Sequence, residues 1–161
     1  MVVEFGGVDM ARLLAPALEQ RFHVSVAVTK APAPWARKRD WQVNAEDVLS
    51  EVMATRVRAK MTLALGLTDD DLFVPGMSFV FGLASREGAS AVVSVNRLKD
   101  KDDSVHLARL TKEAVHELGH LHDLPHCEDP LCVMHFSNTL ADTDAKGATF
   151  CARCSGKIAQ P

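Results

Sequence analysis

The stretch HELGHLHDLPHC, residues 116–127, carries four histidines, with a glutamate directly after the first. In a helix, which advances about 100° per residue, Leu107, Leu110, Ala114, Leu118 and Leu121 fall on one stripe, and His116 and His120 lie together on the opposite side. Glu117 sits between the two faces. The apolar stripe is core, and the paired imidazoles must face something else. The helix is predicted to run through VHLARLTKEAVHELGHLHD, with Ser104 as its N-cap and Pro125 fixing its end, because the residue before a proline avoids the α region.

Two histidines at i and i+4 present ring nitrogens to one ion, and zinc accepts neutral imidazole readily. His126, just beyond the helix end, is placed to be a third ligand. Three protein ligands leave a fourth position for water, the arrangement of a catalytic rather than a structural zinc. Glu117, beside the first ligand, is then the general base that takes a proton from that water as it attacks a carbonyl. The chemistry this pattern supports is metal-assisted hydrolysis, most simply of a peptide bond. A bare HExxH also arises by chance in helices, and the third histidine is what argues against chance here.

All four cysteines fall in the last 35 residues as two close pairs, Cys127 with Cys132 and Cys151 with Cys154. In a reducing compartment such clustering favours metal over disulfides, and four thiolates suit a closed, structural tetrahedral zinc. Because Cys127 follows His126, that second ion would anchor the segment carrying the third histidine.

Upstream, VVEF and FHVSVAV (residues 22–28) read as strands around a helix that tolerates Pro16. Residues 30–42 read as a loop. Asn44 caps a helix through AEDVLSEVMATRVRAK, and MTLALGL, SFVFGLAS and AVVSVNRL read as three further strands. TDDDLFVPGM reads as a polar turn, with Asp69, Asp70 and Asp71 solvated and without function, and the final SGKIAQP is expected to fray. The length and the balance of 47% hydrophobic to 24% charged residues suit one domain, 1–161.

A net charge of -3 gives no general attraction to nucleic acid or an anionic membrane, so neither is expected as a partner. The basic segment bearing Trp35, Arg37, Lys38, Arg39 and Trp41 is expected to be a mobile loop flanking a cleft. With no basic leader and no run of 18 apolar residues, the chain is expected to be cytoplasmic, unprocessed and monomeric. His23, His106, His122 and His135 have no partner at ligand spacing and are read as surface or hydrogen-bonded residues.

The segment resembles the extended motif of the archaemetzincins, a branch of the metzincin metallopeptidases: HExxHxxGxxHC, four residues, CxM, then CxxC. This chain reads HELGHLHDLPHC, EDPL, CVM and CARC, and residues 61–154 carry the likeness. The resemblance implies an α/β fold with a mixed five-stranded sheet, two packed helices and an active-site helix. These make an N-terminal lobe, 1–123, followed by a small irregular C-terminal lobe, 124–161. It implies a zinc peptidase acting on a peptide or protein, with His116, His120 and His126 on catalytic zinc, Glu117 as base, and Cys127, Cys132, Cys151 and Cys154 on a structural zinc.

Met134 would be the Met-turn residue under the site, and Phe79, Val80, Phe81, Gly82, Leu83 and Ala84 an edge strand that binds substrate main chain. The family's glycine is Asp123 here, at a turn expected to need φ > 0, which Asp tolerates better than most residues. Asp123, Glu128 or Asp129 would be the acidic group that an aminopeptidase needs. The alternative is a non-catalytic, zinc-stabilised peptide-binding protein that keeps the site without turnover.

Overall fold

The computed structural model describes residues 1–158. Strand β1 (Val2–Phe5), helix α1 (Ala11–Phe22) and strand β2 (Val28–Ala31) open the chain. A hairpin of β3 (Lys38–Arg39) and β4 (Gln42–Asn44) leads into α2 (Ala45–Arg58), followed by β5 (Ala64–Thr68), β6 (Leu72–Phe73), β7 (Gly82–Ser85) and β8 (Ser90–Ser94). A 3-10 turn (Asn96–Leu98) precedes α3 (Asp103–Leu121), and two short helices, α4 (Leu140–Ala145) and α5 (Ala152–Ile158), complete the described chain.

The five-stranded sheet has the order β2-β1-β5-β8-β7. Neighbours are parallel except β7, which runs antiparallel to β8 along one edge. Strands β1, β5 and β8 are buried throughout, as a parallel sheet requires when helices cover both faces. Alternate residues serve opposite layers. Val3, Ala64 and Val92 pack on α2 through Val48, Leu49 and Val52. Val2, Leu65, Leu67, Ala91 and Val93 pack with Leu14 and Leu18 of α1 and Leu110, Ala114, Val115 and Leu118 of α3. Each buried Val or Leu contributes roughly 1.5–3 kcal/mol.

The same core continues into the C-terminal segment through Leu124, Cys127, Val133, Met134 and Cys154. Arg109 of α3 clamps α4 through Asp144 at 2.6 Å and also reaches Asp100 at 3.0 Å. No helix among the described residues is long and apolar enough to cross a membrane.

Asn44 caps α2 as predicted, its Oδ1 accepting from Glu46 N and Asp47 N. Other boundaries differ. The strand read at residues 22–28 lies instead at Val28–Ala31, because α1 runs on to Phe22 and β1 offers only four residues to pair. Asp102 rather than Ser104 caps α3, accepting from the Ser104 amide at 2.8 Å and hydroxyl at 2.6 Å.

The expected loop at 30–42 contains β3 and the start of β4, and the expected turn contains β6. The three form a second sheet, order β3-β4-β6. Arg39 ties its hairpin to the Met77 and Ser78 carbonyls. Asp71 is buried, not solvated, and takes a bidentate grip from Arg97 at 2.6 and 2.7 Å. The C-terminal segment, expected to be irregular, holds two helices, α4 starting at a capping box between Thr139 and Asp142. Of the tail expected to fray, residues 155–158 belong to α5, and 159–161 lie outside the described residues.

Candidate metal centres and active site

Helix α3 is buried on every side from residue 113 to 119, against the sheet on one face and the C-terminal segment on the other. His116 Nδ1 lies 2.9 Å from Val133 O, and His120 Nδ1 lies 2.8 Å from Leu124 O. A carbonyl only accepts, so in each ring Nδ1 carries the proton and Nε2 keeps its lone pair. The two Nε2 atoms are 3.1 Å apart, with no proton for a bond between them. Two lone pairs held face to face repel, and a cation between them removes the conflict. The ligand atoms of His116, His120 and His126 all lie within 4.8 Å of one another, so this donor set fits a metal ion.

All three imidazoles are held neutral. Burial brings His116 down to about 2, and the Lys146 ammonium adds to the effect. Burial also lowers His120 and His126. Neutral rings are the metal-binding form.

His120 owes its orientation to the end of its helix. Leu124 N donates to Gly119 O and Asp123 N to His120 O, the paired bonds of a Schellman closure, with Asp123 at φ 62° in the left-handed position. This closure brings Leu124 O onto the His120 ring. Beneath, Met134 is fully buried and packs so closely on Gly119 that a side chain there would strike its sulfur. Met134 O accepts from Cys127 N at 2.9 Å, joining the floor of the site to the cysteine cluster.

The four cysteines are free thiols with their sulfurs within 4.8 Å of one another. Cys127 Sγ and Cys151 Sγ are 3.8 Å apart, and corners of a tetrahedron with bonds of about 2.3 Å to zinc stand about 3.8 Å apart. That separation is far outside disulfide bonding and fits one shared ion. Burial pushes the Cys127 thiol up, but Arg153, donating to its sulfur at 3.2 Å, and neighbouring hydrogen bonds bring it down to about 7.

Glu117 is 7% exposed and lines a cleft of about 340 Å³ together with His116, His120 and His126. Burial, then repulsion from Glu113, push its carboxyl up to about 8, and Lys146 opposes them. Glu113 and Lys146 form an ion pair at 3.0 Å, and the Thr143 hydroxyl donates to the same Glu113 oxygen at 2.9 Å. Residues 79–84 all line the same cleft, as do Asn138 and Phe136, whose ring lies 4.8 Å from that of His126.

A family profile described as Peptidase family M54 matches residues 26–160. The chain belongs to peptidase family M54. The archaemetzincin of Methanopyrus kandleri is 53% identical over 91 residues, covering 56% of this chain and 52% of that one. The archaemetzincin of Sulfolobus acidocaldarius is 36% identical over 146 residues, covering 87% of this chain and 77% of that one. The first match therefore spans about half the relative's length. Among solved structures, a zinc-dependent peptidase from Methanocorpusculum labreanum superposes with a TM-score of 0.85 at 28% identity, covering 98% of this chain and all of that one.

In this M54 chain the structure brings His116, Glu117, His120, His126 and residues 79–84 to one cleft and the four cysteines to a second cluster. Asp123, Glu128 and Asp129 are not among the cleft's lining residues, and the Asp123 carboxylate is bound by Arg86 at 2.6 Å. Of the other histidines, His122 stacks on Phe22 and His135 Nδ1 meets Cys127 O at 2.8 Å. The sequence reading missed Glu113, Thr143 and Lys146. Glu113 had a signal, since it precedes Glu117 by four residues on one helix face. Lys146 had none, because only the fold brings it under α3.

Proposed function

We propose that this chain is a zinc-dependent peptidase that hydrolyses peptide bonds in an extended substrate laid along β7. The observation that carries this reading is the convergence of three imidazoles, with the Nε2 lone pairs of His116 and His120 turned toward each other and His126 within reach, beside the buried Glu117 carboxylate in an open cleft. Zinc held there by His116, His120 and His126 would polarise the scissile carbonyl and acidify water. The relative from Methanocorpusculum labreanum, described as a zinc-dependent peptidase, supports the choice of metal.

Glu117 takes the proton of the attacking water on a carboxylate oxygen and delivers it to the leaving amine. Its burial makes it a stronger base than an exposed glutamate, and the positive charge of Lys146 keeps the ionised form within reach. Of residues 79–84, the outer edge of Gly82–Ala84 bonds the substrate's main chain, since β7 is bonded on one side only, to β8, whereas Val80 N already donates to Leu72 O. Phe79, Phe81 and Phe136 give the cleft apolar walls. Met134 is the apolar floor. Cys127, Cys132, Cys151 and Cys154 hold a second, structural zinc that fixes the segment delivering His126, and free thiols of this kind suit a reducing, cytoplasmic setting.

The carboxylates lining the cleft are Glu117 and Glu113, and Lys146 neutralises the second. With no unpaired acid other than Glu117 lining the cleft among the described residues to receive a substrate's amino terminus, internal bonds are the favoured targets over an aminopeptidase role. The alternative of a binding protein without turnover rests on Asp123 and on the small size of the segment after it; Asp123 itself completes the helix-ending turn and faces Arg86.

A zinc-loaded sample mixed with a diverse peptide pool and followed by mass spectrometry tests the proposal. New internal termini are expected. Stepwise loss of N-terminal residues would make it an exopeptidase, and an unchanged pool would favour the binding reading.

A further inference from the structure

Resting on the assignment of Glu117 as general base, we infer that Gly82 is a positioning residue whose missing side chain admits the Glu117 carboxylate against the substrate-binding edge of the sheet. A Cβ built at Gly82 would lie 2.6 Å from Glu117 Cγ, 2.7 Å from Oε1 and 2.8 Å from Cδ. Real Cβ atoms do not approach other atoms this closely, so any side chain at position 82 displaces the glutamate. Glycine weakens a strand, and it persists in one where another group must approach the backbone closely. Here that group is the reacting carboxylate itself.

The register adds a second role for the same residue. Gly82 stands opposite Val93, and Ser94 N donates to Phe81 O at 2.8 Å. In an antiparallel ladder a pair flanked by that bond is the non-hydrogen-bonded kind, so the N–H and C=O of Gly82 turn away from β8 toward the open edge. A peptide adding to β7 would bond to Gly82 on that edge while Glu117 rests on its α-carbon. One residue thus fixes both the base and the strand it acts on, which sets which substrate bond meets the carboxylate.

The test is a double-mutant cycle read first as thermal midpoint and zinc content, then as hydrolysis. Gly82→Ala is expected to lower the midpoint when Glu117 is intact and to leave it unchanged or raise it slightly when Glu117→Ala has removed the clashing atoms, since alanine suits a strand better than glycine. Zinc content should stay at the wild-type level in all four proteins. Hydrolysis by Gly82→Ala should fall at least about tenfold, out of the ~10²–10⁴-fold that a general base supplies. The loss should be smaller in a Glu117→Asp background, where the carboxylate is one methylene shorter.

An equal change of midpoint with and without the Glu117 side chain, zero included, would overturn the inference. The midpoint comparison needs no turnover. It therefore decides the role of Gly82 even if wild type cleaves nothing, a result that would count against the peptidase reading alone.

Discussion

Lys146 Nζ lies 3.0 Å from Glu113 Oε1, with the two side chains 0% and 4% exposed, and Glu113 belongs to the helix that carries His116 and His120. The ammonium also approaches His135 O at 3.4 Å and His116 Nδ1 at 3.5 Å. Since that ring nitrogen already carries a proton for Val133 O, its contact with Lys146 is electrostatic crowding rather than a hydrogen bond.

Removing one member of this pair strands a buried charge. Lys146→Met should cost roughly 3–5 kcal/mol, while Lys146→Met with Glu113→Leu should recover most of that loss. Urea unfolding of the three proteins checks it, and equal losses in the single and double variants would contradict the pairing.

Asp123 tests how the helix end is built. Its left-handed backbone costs about 1 kcal/mol that glycine would not incur, and its exposed bond to Arg86 returns about 0–1 kcal/mol. Asp123→Gly should therefore leave stability within about 1 kcal/mol of wild type and retain hydrolysis. Asp123→Val, branched at Cβ, should lower both, because the turn that presents Leu124 O to His120 would open.

Metal removal should act on the two clusters in different ways. Cys154→Ser should lower zinc content by about one ion per chain and loosen residues 124–158, with His126 exchanging its fixed place for several. His120→Ala should lower zinc content by one ion and leave the cysteine cluster and the fold intact. Zinc per chain by elemental analysis, with amide exchange over the C-terminal segment, separates the two.

Asp71 gives a pH dependence whose sign follows from its surroundings. Burial pushes its carboxyl up, but hydrogen bonds and charge from Arg97, with help from Gln42, bring it below its ordinary value. A carboxyl depressed in the folded state stabilises the fold above its unfolded value of about 3.9 and loses that contribution as pH falls through the folded one. Arg97 is 39% exposed, so solvent screening limits the pair to about 1 kcal/mol. Asp71→Asn should be less stable than wild type by that amount at pH 7, and the gap should close below about pH 4.

The sequence made the centre of this molecule readable because its signals are local. The histidines share a helix face at i and i+4, Asn44 caps the helix it precedes, and Asp123 fills a turn whose demand for φ > 0 follows from the motif. Four of the five sheet strands, β1, β5, β7 and β8, were legible as short apolar runs, whereas the run read at residues 22–28 shares only Val28 with β2, which lies where the four residues of β1 can pair with it. Strand β6 is two residues long, too short to show a period, and its pairing with β4 is visible only in the fold. Lys146 carries no mark in the sequence, and Gly82 is marked there only as one residue of the substrate-binding edge. Their meaning comes from what lies across from them, Glu113 and Glu117.

The central claim is tested most directly by the rate of peptide hydrolysis of Glu117→Ala against wild type, with zinc content measured on the same samples. The account predicts that hydrolysis falls by ~10²–10⁴-fold while both proteins hold the same amount of zinc. Undiminished hydrolysis by the zinc-replete variant would contradict it.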